Sequence, residues 1–257
     1  MNDEYLEFIT NIKKRLGIDL NYYKEAQMKR RLTTLRDKRG FSNFNSYYSE
    51  LDKNEDLLAE FVDRITINVS EFFRNPKRWE VLIEKILPLL GSTKANINIW
   101  SAACSTGDEP YSLAIILREY FPKWNVKILA TDIDENVLTK AKQGMYSSSA
   151  LKELPEKIRD KYFNQVNGFF QIDDSIKKLV QFKKHNLLED PYPKNMDLIV
   201  CRNVLIYFTD EAKDKIYRDF SSALTTNGVL FVGSTEQIFS PAKYGFQLAD
   251  TFFYQKV

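Results

Sequence analysis

The rhythm of the sequence changes near residue 97. From there, apolar β-branched runs alternate with helical patterns: 97–103 (INIWSAA), 109–121, 126–133 (VKILATDI) and 135–145. Such alternation predicts a parallel sheet with helices packed on both faces, because each strand must be covered above and below. The rhythm resumes at 180–186 and 196–204, with a helix over 209–224 and a further strand at 229–235. The final stretch, 246–257, reads as one or two closing strands.

Upstream of this alternation the periodicity is purely helical. Leu6, Ile9, Ile12 and Leu16 recur on one helical face, as do Met28, Leu32 and Leu35, and then Leu57, Leu58, Phe61, Val62 and Ile65. Gly17 and Gly40 are expected helix stops, and Ser42 and Asp52 expected starts. Residues 1–80 are therefore assigned to an all-helical N-terminal domain and linker, and 81–257 to the α/β domain. One stretch interrupts the second domain. Asn167-Gly168 between apolar runs is a hairpin signal, and a hairpin has no place in a βαβ crossover. Residues 147–179 are read as an inserted antiparallel β-subdomain.

Composition narrows the chemistry. The chain has 257 residues, one histidine and two cysteines. A zinc site with recognisable spacing is excluded, and any histidine-based catalysis would rest on His185 alone. No metal is expected. Cys104 and Cys201 are expected to be reduced thiols of a cytoplasmic protein. The first residues, MNDEYLEFIT, carry acids where a signal peptide needs a basic and then an apolar segment. No apolar run approaches the roughly 20 residues that a membrane helix needs. Between Lys24 and Arg39, seven basic residues stand against two acidic ones, a patch that reads either as a solvated helix face or as a surface suited to an acidic partner.

Open α/β sheets bind ligands beyond the carboxyl ends of their strands, so the loops that follow the strands are the candidate site. The first, 103–109, offers small residues and Gly107 before a helix; it is neither GxGxxG nor a P-loop. Asp132 ends the second strand, where a carboxylate accepts ribose hydroxyls. Asn186 follows the third, and Cys201-Arg202-Asn203 the fourth. Arginine and asparagine beside so apolar a strand require partners or a ligand.

At these loops the sequence resembles the CheR family of chemotaxis-receptor glutamate O-methyltransferases. The resemblance is carried by 99–112 (IWSAACSTGDEPYS), 131–134 (TDID), 186–188 (NLL), 201–208 (CRNVLIYF) and 68–74 (NVSEFFR), in order along the chain. It implies a Rossmann-like S-adenosylmethionine methyltransferase domain with a small antiparallel β-subdomain insert, preceded by an all-helical domain. It implies S-adenosyl-L-methionine as cofactor, S-adenosyl-L-homocysteine as product, and transfer of the methyl group to receptor glutamates as methyl esters. Residue by residue, it implies cofactor contacts from Asn68, Ser70, Arg74, Glu109, Asp132, Asn186, Leu187, Cys201 and Arg202, and catalytic roles for Arg74 and Tyr207. Asp108 stands where the family often has Glu. The partner implied is the cytoplasmic helical methylation region of chemoreceptors, met by a monomer through the basic helix with Lys24, Lys29, Arg30, Arg31 and Arg36, without membrane insertion.

Two rival readings share some of these residues. A nucleic-acid methyltransferase would use the same cofactor and a basic helix. However, Asp190-Pro191-Tyr192-Pro193 has the wrong order for a DPPY motif and precedes the fourth strand, so no nucleic-acid partner is expected. A non-catalytic cofactor-binding module is disfavoured by the presence of Arg74, Asp132 and Tyr207.

Overall fold

The computed structural model describes residues 2–66, 68, 70–91 and 96–257. The chain divides into two compact units, residues 1–68 with 205–215, and residues 69–204 with 216–257. Among the described residues, no helix is long and apolar enough to cross a membrane.

Among the described residues, the N-terminal part of the first unit contains the α-helices α1 (Asn2–Leu16), α2 (Glu25–Lys38), α3 (Phe44–Leu51) and α4 (Glu55–Thr66). α1 ends where Gly17, at φ 70°, donates its N–H to the Lys13 carbonyl, a left-handed stop that glycine adopts without steric cost. α2 buries Met28, Leu32 and Leu35, the expected stripe. The starts of α3 and α4 lie slightly beyond the expected Ser42 and Asp52. Asn43 Oδ1 accepts the Ser46 N–H, and Asn54 Oδ1 accepts the Leu57 N–H; in each case the asparagine side chain satisfies a helical donor that lacks an internal partner. The core centres on Phe8, whose ring lies 4.9 Å from Phe44 and 5.9 Å from Phe61. Leu6, expected on that face, is exposed, and Tyr5 and Phe8 take the inward positions.

Residues 205–215 join this unit from far along the sequence. Thr209 donates its N–H to the Tyr22 carbonyl and Lys24 to the Tyr207 carbonyl, while the Tyr23 and Phe208 rings meet edge to face at 4.8 Å.

The second unit contains a seven-stranded sheet. Its strands are β1 (Asn96–Ala102), β2 (Asn125–Asp132), β6 (Val180–Lys184), β7 (Met196–Cys201), β8 (Leu224–Val232), β9 (Phe246–Asp250) and β10 (Phe253–Lys256), in the order β6-β2-β1-β7-β8-β10-β9. β6 to β8 run parallel, and β10 is antiparallel to both of its neighbours. Chain order reverses on either side of β1, which makes the carboxyl ends of β1, β2 and β7 the switch point. Trp100, Ile99, Leu198 and Ile199 are fully buried in the centre. The remaining α-helices are α5 (Pro76–Val81), α6 (Leu87–Gly91), α7 (Asp108–Tyr120), α8 (Glu135–Gln143), α9 (Glu156–Tyr162), α10 (Asp174–Lys177) and α11 (Asp210–Ala223), of which α7, α8 and α11 cover the sheet. The insert forms its own sheet, β3 (Met145–Tyr146), β5 (Phe169–Ile172) and β4 (Phe163–Val166), so its first strand lies just ahead of residue 147. Asn167 and Gly168, at φ 50° and 80°, make the hairpin turn.

Candidate functional site

The loop between β1 and α7 coils unusually tightly. Ala103, Ser105 and Gly107 all have positive φ, at 59°, 49° and 90°. A non-glycine residue there costs about 1–2 kcal/mol, and such strain marks ligand sites more often than mere connections. At Gly107 space is also decisive, since a Cβ would stand 2.9 Å from the Ala141 Cβ and 3.2 Å from the Tyr146 hydroxyl. The loop is pinned to β2. Cys104 donates its N–H to the Thr131 carbonyl at 2.9 Å, and Ser105 to Asp132 Oδ2 at 2.8 Å. Asp132 Oδ1 accepts the Asp134 N–H at 3.0 Å. Burial pushes the Asp132 carboxyl up to about 6, against the pull of these backbone donors.

A second cluster lies at the end of β7. The Arg202 side chain is 3% exposed. Its Nη2 donates to the Arg74 carbonyl and to Asn75 Oδ1, both at 2.9 Å, and its Nη1 lies 3.6 Å from Glu109 Oε2. Glu109 Oε1 accepts the Ser101 hydroxyl at 2.9 Å. The guanidinium lies over the rings of Phe231 and Trp79. Burial raises the Glu109 carboxyl and lowers the Arg202 guanidinium, and each offsets the other's shift by Coulombic attraction. The 70–75 segment is tied in as well, with Phe73 donating to Ser112 Oγ and Trp79 Nε1 to the Arg74 carbonyl.

The third loop is closed by its own residues. Asn186 Oδ1 accepts the Leu188 N–H, and the Leu187 carbonyl accepts the Tyr192 hydroxyl. Asp190 Oδ2 accepts the Asn186 N–H, so the acid of the DPYP segment serves this turn. His185 is buried against Trp100 and Tyr192, and burial lowers its pKa. Cys104 and Cys201 are buried free thiols, both pushed up by burial and so held protonated.

Comparison with known proteins accounts for the whole chain. Residues 3–66 match the CheR methyltransferase all-alpha domain, and residues 68–252 the CheR methyltransferase SAM-binding domain. The chain belongs to the CheR methyltransferase family. A chemotaxis protein methyltransferase of Listeria innocua serovar 6a is 44% identical over 257 residues, covering 100% of this chain and 98% of that one. One from Borreliella burgdorferi is 38% identical over 250 residues, covering 92% and 88%. This CheR-family chain is thus a methyltransferase that binds S-adenosylmethionine, with relatives that act in chemotaxis.

The site fits that cofactor in two respects. Arg202 Nε and Ser105 Oγ are buried without a hydrogen-bond partner, as is expected of groups that a polar ligand would satisfy. Asp132 keeps an acceptor-rich carboxylate at the end of β2, where the ribose of such ligands lies. Of the residues expected from sequence, the fold brings Glu109, Arg202 and the Arg74 backbone into one network, and Asp132 against the first loop. Asn186 and Leu187 follow His185, whose N–H reaches the Asp132 carbonyl at 2.9 Å. Ser70 lines a cleft of about 320 Å³ with Thr106, Asp108 and Tyr146. Asn68 and Tyr207 belong to the helical unit. There, Asn68 Nδ2 donates to Thr66 Oγ1 at 2.9 Å, and Arg31 lies over the Tyr207 ring at 5.7 Å.

Asn75 and Trp79, which hold the Arg202 guanidinium, are contacts that no strand-end motif in the sequence marks.

Proposed function

We propose that this protein methylates glutamate carboxylates of chemotaxis receptors in the cytoplasm, forming methyl esters. The observation that carries this reading is the fate of the chain's one histidine. His185 is held in an aromatic cluster with Trp100 and Tyr192, and its Nε2 lies 3.4 Å from the Pro191 carbonyl. A glutamate acceptor ionises near 4.3 and needs no base to make it nucleophilic at neutral pH. An amine or hydroxyl acceptor would have to lose a proton, and His185 in that cluster is not placed to accept it.

Bound S-adenosylmethionine supplies an electrophilic methyl group on a sulfonium. The chain's part is to bind, orient and exclude water. In this reading Asp132 accepts from the ribose, and Glu109 and Arg202 meet the charged amino-acid end. Ser70, Asn68, Asn186, Leu187 and Cys201 complete the contacts that family resemblance implies. An attacking carboxylate and a sulfonium lose charge as the bond forms, so desolvation and alignment supply most of the acceleration. Arg74 and Tyr207 keep the catalytic roles that the resemblance implies, each as an orienting group that transfers no proton. The partner is reached by a monomer through α2 and its N-cap Lys24, where Lys24 and Arg30 are exposed and Lys29, Arg31 and Arg36 are half-buried.

The deciding experiment supplies tritiated S-adenosylmethionine and membranes carrying chemoreceptors. Base-labile label on receptor glutamates is the expected result. Base-stable label, or label on another side chain, would sink the glutamate reading while leaving methyltransferase activity intact. Replacing Tyr207 by Phe tests the orienting hydroxyl: turnover should fall, and unchanged turnover removes that role.

A further inference from the structure

β7 and β8 are adjacent parallel strands, with Cys201 paired to Val232, so the loops that leave their carboxyl ends run side by side. One side chain joins them. Glu236 Oε2 accepts the Gly233 N–H at 2.8 Å from its own loop and the Asn203 N–H at 2.7 Å from the other. Glu236 is 5% exposed. Asn203 sits at φ 62°, a conformation that asparagine adopts more readily than most residues but that still needs support.

Gly233 carries the same feature from the opposite side. Its φ is not positive, so the need for glycine is spatial. A Cβ there would stand 2.4 Å from Glu236 Oε2 and 2.9 Å from the Asn203 nitrogen. Two chemically unrelated positions thus serve one arrangement, a carboxylate oxygen set between two backbone donors. Burying a carboxylate is costly, and here the cost supports two loop amides beside Arg202 rather than an apolar interface. The Glu236 charge also acts on Arg202, Glu109 and Cys201.

We infer that Glu236 is a positioning residue for the cofactor site, holding the Arg202–Asn203 backbone in its productive conformation from the neighbouring strand. The inference rests on the placing of Arg202 in that site. It assigns Glu236 no contact with the reacting groups.

Calorimetry with S-adenosylhomocysteine on the full chain tests it. Glu236→Ala leaves two N–H groups, one buried and one part-buried, without their acceptor and should weaken binding about tenfold or more. Gly233→Ala, which pushes the carboxylate away, should do the same. Glu236→Gln keeps one carbonyl-type oxygen for both donors and should bind within about threefold of wild type. A merely structural role would lower the melting temperature and the number of competent sites, leaving the Kd of the folded fraction unchanged. Wild-type Kd in Glu236→Ala overturns the inference. If that variant does not fold, Gly233→Ala and Glu236→Asp decide, and wild-type affinity in both overturns it. Wild-type affinity in Arg202→Lys overturns the placing of Arg202 instead, so the two failures are told apart.

Discussion

Arg202 in the sheet unit and Lys29, Arg31 and Arg36 in the helical unit are all cations set over aromatic rings, yet they are held in opposite ways. Arg202 is almost wholly buried, with a carboxylate, a carbonyl, an amide oxygen and two rings around it. The helical cations each lie over one ring, Lys29 over Tyr5 at 5.1 Å, Arg31 over Tyr207 and Arg36 over Phe44 at 4.7 Å, and all three are half-exposed. A deeply buried charge is tolerable only with its partners supplied in advance, which fixes geometry and suits a small ligand of fixed charge. A half-exposed cation keeps its hydration and exchanges partners at little cost, which suits a macromolecular surface that varies. On the proposed function, the sheet unit supplies the preorganised chemistry and the helical unit the adaptable recognition.

The sharpest way to break this contrast is Arg202→Met. Removing one partner of a buried pair leaves Glu109 uncompensated, and the expected loss is about 3–5 kcal/mol of stability in urea denaturation. Without the guanidinium, burial would raise the Glu109 carboxyl further. The double variant Glu109→Gln/Arg202→Met should recover a substantial part of the loss. No recovery would mean that the Arg74 and Asn75 contacts, not the ion pair, account for Arg202's effect.

Next in size is Asp132. Replacement by Ala removes the proposed ribose acceptor, and S-adenosylhomocysteine binding should weaken by about 1.5–3 kcal/mol. The pH dependence sharpens this. The folded-state carboxyl titrates near 6, above its unfolded value, because burial disfavours the charged form. In the free protein, the ionised form therefore costs stability that is retained below the unfolded pKa and lost as pH rises through about 6. Ribose donors favour the ionised form, so affinity should fall as pH drops below about 6, with proton release on binding. Asp132→Asn should flatten that dependence. A wild-type profile level from pH 5 to 8 would detach Asp132 from the ligand.

How much of this was legible in sequence follows from how local each feature is. The parallel strands show in their own periodicity, and the hairpin at Asn167-Gly168 shows in two adjacent residues with the required left-handed angles. Asp132 and Arg202 stand out because a charge at the end of an apolar strand calls for an explanation. By contrast, Ala103 and Ser105 carry no sign of positive φ, since neither residue type favours it. The return of 205–215 to the helical unit depends on backbone bonds donated by Lys24 to Tyr207 and by Thr209 to Tyr22, which no local pattern encodes. The rings beneath Lys29 and Arg36 are equally remote from helical periodicity, which only places those cations beside the apolar stripe.

The smallest expected effect separates two classes of cation on one helix. Lys24, Arg30 and Lys38 are exposed, whereas Lys29 and Arg36 lie over Tyr5 and Phe44. If recognition uses the exposed set, reversing Lys24, Arg30 and Lys38 to Glu should slow receptor methylation most at low salt, where charges act over longer distances. Melting temperature and S-adenosylhomocysteine affinity should stay at wild-type values. Replacing Lys29 or Arg36 by Gln removes a cation from an aromatic face and should cost about 0.5–1 kcal/mol each, visible as a lower melting temperature even without receptor. Arg36 also donates to Asp37 through Nε and Nη2, so its replacement should be the more costly of the two. A triple reversal that mixed both classes would confound docking with folding, so the two sets must be changed separately. Equal methylation rates in the exposed-set variant and wild type at low salt would make α2 a solvated face. Unchanged melting in both glutamine variants would leave the ring contacts without energetic weight, and the contrast with Arg202 would then rest on burial alone.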